Sequence, residues 1–108
     1  MRQRKKLEKL TNYSDGVLKT AELTVLINNK FGIHARPAAT LVKTAASYKS
    51  SVKLTSGEKT VDAKSILGVM SLGVKNGTTV MFKAEGEDAQ DCLLALKKLV
   101  DSDFGESY

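Results

Sequence analysis

The 108-residue chain holds one histidine, placed in Gly32-Ile33-His34-Ala35-Arg36-Pro37 directly before a run that reads as a helix. Imidazole has a reference pKa of about 6.5, so a neutral, nucleophilic nitrogen is available near neutral pH, and His34 suits a transient phosphohistidine. Downstream, apolar side chains at 38, 41, 42 and 45 recur at helical spacing in an alanine-rich stretch free of breakers. Pro37 is compatible with a first turn, where its missing N–H would have no intrahelical partner and its fixed φ already fits. The turn is expected to begin near Ala35. The backbone N–H groups of Ala35 and Arg36, with the positive end of the helix dipole, would then face a phosphoryl group on His34, and the Arg36 guanidinium adds a charged fork. A lone histidine in a loop is more often a solvated or capping residue. The adjoining Gly, Arg and Pro set this one apart.

The elements that must position this segment follow from periodicity. From Glu22, Leu23, Val25 and Ile27 alternate with Thr24 and Leu26 as a strand, which Asn28-Asn29-Lys30-Phe31-Gly32 ends. A helix is expected over about 36–48. Val52 and Leu54 alternate with Lys53 and Thr55 up to Ser56-Gly57-Glu58, so a hairpin is expected, its return strand carrying Val61 and Ala63 on one face and Thr60 and Asp62 on the other. A short helix begins near Ser65. After the Asn76-Gly77 turn, Val80, Phe82 and Ala84 face inward on a last strand. Ala89, Cys92, Leu93, Leu96 and Val100 make the apolar stripe of a last helix whose acidic start and basic end complement the dipole. The order is βαββαβα, an α+β chain whose strands bury one face beneath helices.

Ser65 precedes an apolar helical run, which makes it an ordinary N-cap on local grounds, although a phosphate at a helix start is also electrostatically tolerated. The helix after it is too short to bury Ile66, Leu67, Val69 and Met70 together. Leu67 and Met70 are the candidates for an exposed partner-docking patch, with core packing the competing role.

Composition bounds the function classes. With 42% hydrophobic residues the chain suits one domain with its own core. The single Cys92 has no internal disulfide partner and sits on an apolar stripe, as a small buried hydrophobe would. No apolar run approaches a membrane span or signal core, so a cytoplasmic location without stable membrane insertion is expected. Of the formal charge of +5, residues 1–19 contribute +4 and the remainder only +1, with basic and acidic residues interspersed. Generic nucleic-acid binding by the domain is therefore not expected. Met1 to Leu10 reads as a solvated, flexible basic tail and Asn12 to Gly16 as linker. A lone His and a lone Cys far apart in sequence suggest no metal site, and no cofactor is called for.

Two blocks resemble a known family. Gly32-Ile33-His34-Ala35-Arg36-Pro37-Ala38 is similar to the active-site signature of HPr, the phosphocarrier of the bacterial phosphoenolpyruvate-dependent sugar phosphotransferase system. Lys64-Ser65-Ile66-Leu67-Gly68-Val69-Met70-Ser71-Leu72-Gly73 is similar to its regulatory serine motif in the kinase-recognised form. The resemblance covers about residues 20–104, leaving 1–19 as an extension and 105–108 as a tail. It implies an open-faced sandwich of four antiparallel strands with three helices on one face. It also implies a carrier rather than an independent enzyme. Enzyme I would phosphorylate His34 on the ring nitrogen nearer the backbone, with Arg36 and the helix amides stabilising the group. Sugar-specific acceptors of the EIIA type would receive it. Ser65 would be phosphorylated by HPr kinase/phosphorylase in carbon catabolite regulation, with a transcription regulator as a further partner. Two alternatives stay open: a regulatory or nitrogen-branch paralogue, and a small RNA-binding module using an open sheet face, which here lacks the usual stacking aromatic pair.

Overall fold

Strand by strand, the alternation of apolar and polar residues builds one sheet with a dry and a wet face. The computed structural model describes residues 19–105 in full and 9–14 as backbone. In chain order the elements are β1 (Lys9–Ser14), β2 (Lys19–Ile27), α1 (Ala35–Ala46), β3 (Ser51–Ser56), β4 (Lys59–Asp62), α2 (Ile66–Ser71), β5 (Thr78–Glu85) and α3 (Ala89–Asp101), then a 3-10 turn over Asp103–Gly105. Residues 1–8, 15–18 and 106–108, which hold most of the basic tail, part of the linker and the end of the C-terminal tail, lie outside the described residues.

The strand order is β1-β2-β5-β3-β4, antiparallel throughout. The four expected strands are β2, β5, β3 and β4. A fifth, β1, pairs along the outer edge of β2, with Lys9 opposite Thr24 and Ser14 opposite Lys19. The linker reading is thus corrected over 12–14 and the flexible-tail reading over 9–10. The sequence Lys-Leu-Thr-Asn-Tyr-Ser carries little apolar alternation, and what it gains is backbone pairing along an otherwise open strand edge. The same pairing draws the start of β2 back to Lys19.

Across the dry face Leu23 stands opposite Phe82, which stands opposite Leu54, which stands opposite Val61, a row running through four strands. Leu23, Phe82 and Leu54 have no exposed surface, and the helices cover them with Leu41, Ala45, Leu93 and Leu96. Cross-strand rows of this kind stabilise a sheet through dense contacts on one face only. On the other face Lys53, Thr79 and Lys83 are exposed, and Thr24 and Met81 are half-buried. The whole stripe expected on α3, Ala89, Cys92, Leu93, Leu96 and Val100, is buried.

Two ties hold the loops at the helix ends. At the start of α3, the Asp88 carboxylate accepts the backbone N–H groups of Lys49 (2.8 Å) and Ser50 (2.9 Å) and the Ser50 hydroxyl. It thereby anchors the α1–β3 loop across 38 residues or more of sequence. These bonds, the Ser50 hydroxyl first and the Lys49 amide next, hold the Asp88 carboxyl below its usual value. At the start of α1, Ile33 N–H donates to the Val74 carbonyl (3.0 Å) and Gly77 N–H to that of Ile27 (2.6 Å), so the β2–α1 loop is laced to the α2–β5 loop. Gly32 makes this approach possible. Its φ is +69°, and a Cβ there would collide with the Val74 carbonyl and come within 2.8 Å of the Lys75 Cα.

Gly32→Ala is therefore expected to lower stability by about 1–3 kcal/mol and to displace the β2–α1 loop, read by urea unfolding and by amide chemical shifts of 28–36. Wild-type stability in both would remove the latch. For Asp88, a depressed folded-state pKa means a contribution complete above the unfolded value near 3.8 and lost as pH falls through the lower folded one. The stability gap between wild type and Asp88→Ala should shrink as pH drops from about 6 to about 3. A gap independent of pH in thermal melts would exclude the carboxylate as its source.

Candidate functional site

His34 is the N-cap of α1. Its backbone is extended (φ −89°, ψ −165°) and its carbonyl accepts the Ala38 N–H at 2.9 Å, yet its side chain makes no capping bond. α1 starts at Ala35, as expected, and its end over Ala46 and Ser47 falls slightly before the expected Tyr48 because the Ser47 and Tyr48 amides turn back on Thr44 and Ala45.

Four N–H groups at a helix start have no intrahelical partner. Here Pro37, buried in the first turn, has none to offer, and Ala38 closes onto His34. The turn therefore presents the amides of Ala35 and Arg36, both exposed residues that no described hydrogen bond engages through its N–H. The Arg36 side chain is likewise at the surface, and its carbonyl accepts the Thr40 hydroxyl (3.2 Å). Sequence-adjacent His34, Ala35 and Arg36 are in this way gathered at one helix end with a positive dipole and a guanidinium.

The imidazole is half-buried, with Nε2 shielded from solvent. The Phe31 ring meets it edge to face, centroids 6.0 Å apart and planes at 81°, and the Lys30 ammonium lies 5.3 Å from the centre of that phenyl ring. Sequence reading treated Lys30 and Phe31 only as loop. The available signal was an aromatic three residues before the histidine in a glycine turn. Asn29, almost wholly buried, holds the same turn by donating from Nδ2 to the Gly32 carbonyl (2.6 Å) and accepting the Gly32 N–H on its backbone carbonyl (3.1 Å).

Ser65 caps α2, its Oγ accepting the Gly68 N–H at 3.0 Å. α1 and α2 pack against each other, and α2 leads directly into Val74, the residue latched to Ile33. Ser65 lies at the opposite end of the six-residue α2, about 9 Å along its axis from Ser71, and Val74 follows three residues later. Of α2 only Val69 is buried. Leu67 is 83% exposed, and Ile66 and Met70 are exposed with it, so the competing core role fails for Leu67 and Met70.

Cys92 lies in the core, where burial first and Asp88 next push its thiol up to about 11. A thiol so protonated is a packing group and not a nucleophile. Among the described residues no cluster of three or more His, Cys, Asp or Glu could hold a metal ion, and no helix is long and apolar enough to cross a membrane.

Comparison with known proteins agrees with this geometry. The family model described as the PTS HPr component phosphorylation site matches residues 21–102. The phosphocarrier protein HPr of Cupriavidus necator is 44% identical over 80 residues, 74% of this chain and 90% of the relative. That of Mycoplasma capricolum is 37% identical over 78 residues, 72% and 88% of the two chains. The crystal structure of HPr-C-His from Thermoanaerobacter tengcongensis superposes with a TM-score of 0.77 at 47% identity, covering 81% of this chain and 98% of that one. A match spanning the strands, the helices and the His34 loop together leaves one assignment: the chain belongs to the HPr family of phosphocarriers of the phosphotransferase system.

Proposed function

We propose that His34 accepts a phosphoryl group from Enzyme I and passes it to sugar-specific acceptors of the EIIA type. What supports this reading is the histidine at the start of α1 whose side chain makes no capping bond while the Ala35 and Arg36 amides stand open beside it. With Nε2 shielded, Nδ1 is the nitrogen left to react. Its lone pair attacks phosphorus as the bond between phosphorus and the donor group breaks, and the donor group leaves with that electron pair. The Nε2 proton stays on the ring. The two amides and the Arg36 fork meet the charge on the phosphoryl oxygens, so the protein contributes position and electrostatics to an otherwise loose transfer.

Ser65 is proposed as the regulatory position, modified by HPr kinase/phosphorylase. A phosphate there places close to two negative charges beside exposed Leu67 and Met70, the proposed docking residues, where they raise the desolvation cost of an apolar partner and repel an acidic one. Residues 20–104 form the carrier domain, with 1–19 an extension that lends β1 to its sheet, and the cytoplasm is the proposed location. The RNA-binding alternative has less support, since the described side chains on the open sheet face include no aromatic pair.

With phosphoenolpyruvate and purified Enzyme I, acid-labile label should be absent from His34→Ala and should form about tenfold or more slowly on Arg36→Ala, the usual loss for a charge-assisted contact. Undiminished labelling of His34→Ala refutes the site. Ser65→Asp should accept phosphate at least about fivefold more slowly, which a repulsion of about 1 kcal/mol produces. Ser65→Ala, which loses only the cap, should lower stability by about 1 kcal/mol and leave the rate unchanged. Equal rates for the Asp and wild-type proteins count against inhibitory regulation.

A further inference from the structure

Phe31 is 59% exposed on the loop before α1, so the core does not explain a phenyl ring there. It has an edge-to-face contact with His34 on one side and the Lys30 ammonium over its ring. The loop that carries it is held in place. Asn29 is tied to Gly32 in both directions, and Gly32 and Ile33 are latched to Val74. A rigidly held ring against an imidazole restricts rotation about the Cβ–Cγ bond, and that rotation decides which ring nitrogen faces outward.

We propose that Phe31 is a positioning residue for phosphoryl transfer: its edge-to-face contact holds the His34 imidazole with Nε2 shielded and Nδ1 toward the Ala35 and Arg36 amides. Lys30 secures Phe31 in turn through its ammonium over the phenyl face. The inference deepens the phosphocarrier reading and rests on it. Without the contact the imidazole samples both orientations, and two nitrogens compete for phosphorus.

The test uses two donors on the full chain. Enzyme I with phosphoenolpyruvate requires docking. Phosphoramidate does not: the imidazole lone pair attacks phosphorus, the P–N bond of the reagent breaks, and ammonia leaves with the electron pair. The phosphorylated nitrogen is read from phosphorus–nitrogen couplings in 15N-labelled protein. Wild type should be labelled on Nδ1 by both donors. Phe31→Leu, which keeps bulk without a ring, should react about twofold to tenfold more slowly with both, the range an aromatic pair contributes, and should acquire Nε2 product from phosphoramidate. Phe31→Tyr should restore both rate and nitrogen. Unchanged rate and nitrogen in Phe31→Leu would overturn the inference and leave the carrier reading standing. A loss with Enzyme I alone would make Phe31 a docking residue and overturn the inference equally. Failure of wild type to take label on His34 from either donor would remove the carrier reading and this inference together.

Discussion

The close approach of Gly32 to the Val74 carbonyl is the constraint from which the site follows. A left-handed residue without a Cβ lets the loop that leaves β2 touch the loop that enters the neighbouring β5 at the same end of the sheet, and the Ile33 N–H to Val74 bond closes them. Once Gly32 and Ile33 are placed, His34 has little freedom: it emerges extended from a fixed loop and becomes the N-cap of α1. The dry face of the sheet in turn fixes α1, through Leu41 and Ala45. Two rigid bodies thus meet at a single residue, and the chemistry sits where they meet, which gives it the orientation that a lone loop histidine lacks.

Buried and exposed apolar residues divide along the same line. The row from Leu23 through Phe82 to Leu54 is fully buried and carries the fold, whereas Leu67, Met70, Ile66 and Phe31 stay in water. Scattered exposed apolar residues need no account, but three on one six-residue helix that packs against α1 are concentrated, and the proposed docking role draws on that concentration. α2 gives up burial that a longer helix would secure. Its single buried residue, Val69, and its Ser65 cap suffice because α2 packs against α1 and touches β4.

Much of this was legible in the sequence, for identifiable reasons. Period-two alternation in β2, β3 and β5 and the α3 stripe report burial directly, so the inward residues were readable one by one. The placement of His34 and Arg36 at the start of α1 was readable because Pro37 and the alanine run mark a helix N-terminus. β1 was not, since Lys9–Ser14 joins the sheet through its backbone, which leaves no side-chain pattern to read. The Asp88 tie to Lys49 and Ser50 and the Gly32–Val74 latch were invisible for a related reason: they bring together positions 38 or more residues apart, and no local pattern encodes the partner. Phe31 lay in plain view beside the histidine, but its contact depends on the turn geometry that Asn29 and Gly32 impose.

A carrier has to release what it accepts, and the exposure of the site bears on that. Ala35 and Arg36 are at the surface, where water and salt weaken each interaction with a phosphoryl oxygen well below its value in a closed pocket. An enclosed site with the same donors would bind the phosphorylated state tightly and stall the next transfer, since stabilising a bound state without stabilising the transition state speeds nothing. In the proposed transfer the positioning is strong and the binding is weak: the loop, the helix and, by the inference above, the Phe31 ring hold the imidazole, while the proposed anion site consists of two surface amides and one exposed guanidinium. A partner docking on the exposed apolar strip, as proposed, would exclude water and strengthen those same contacts while the group is in flight. On departure it returns them to solvent, so the stabilisation is present chiefly during transfer.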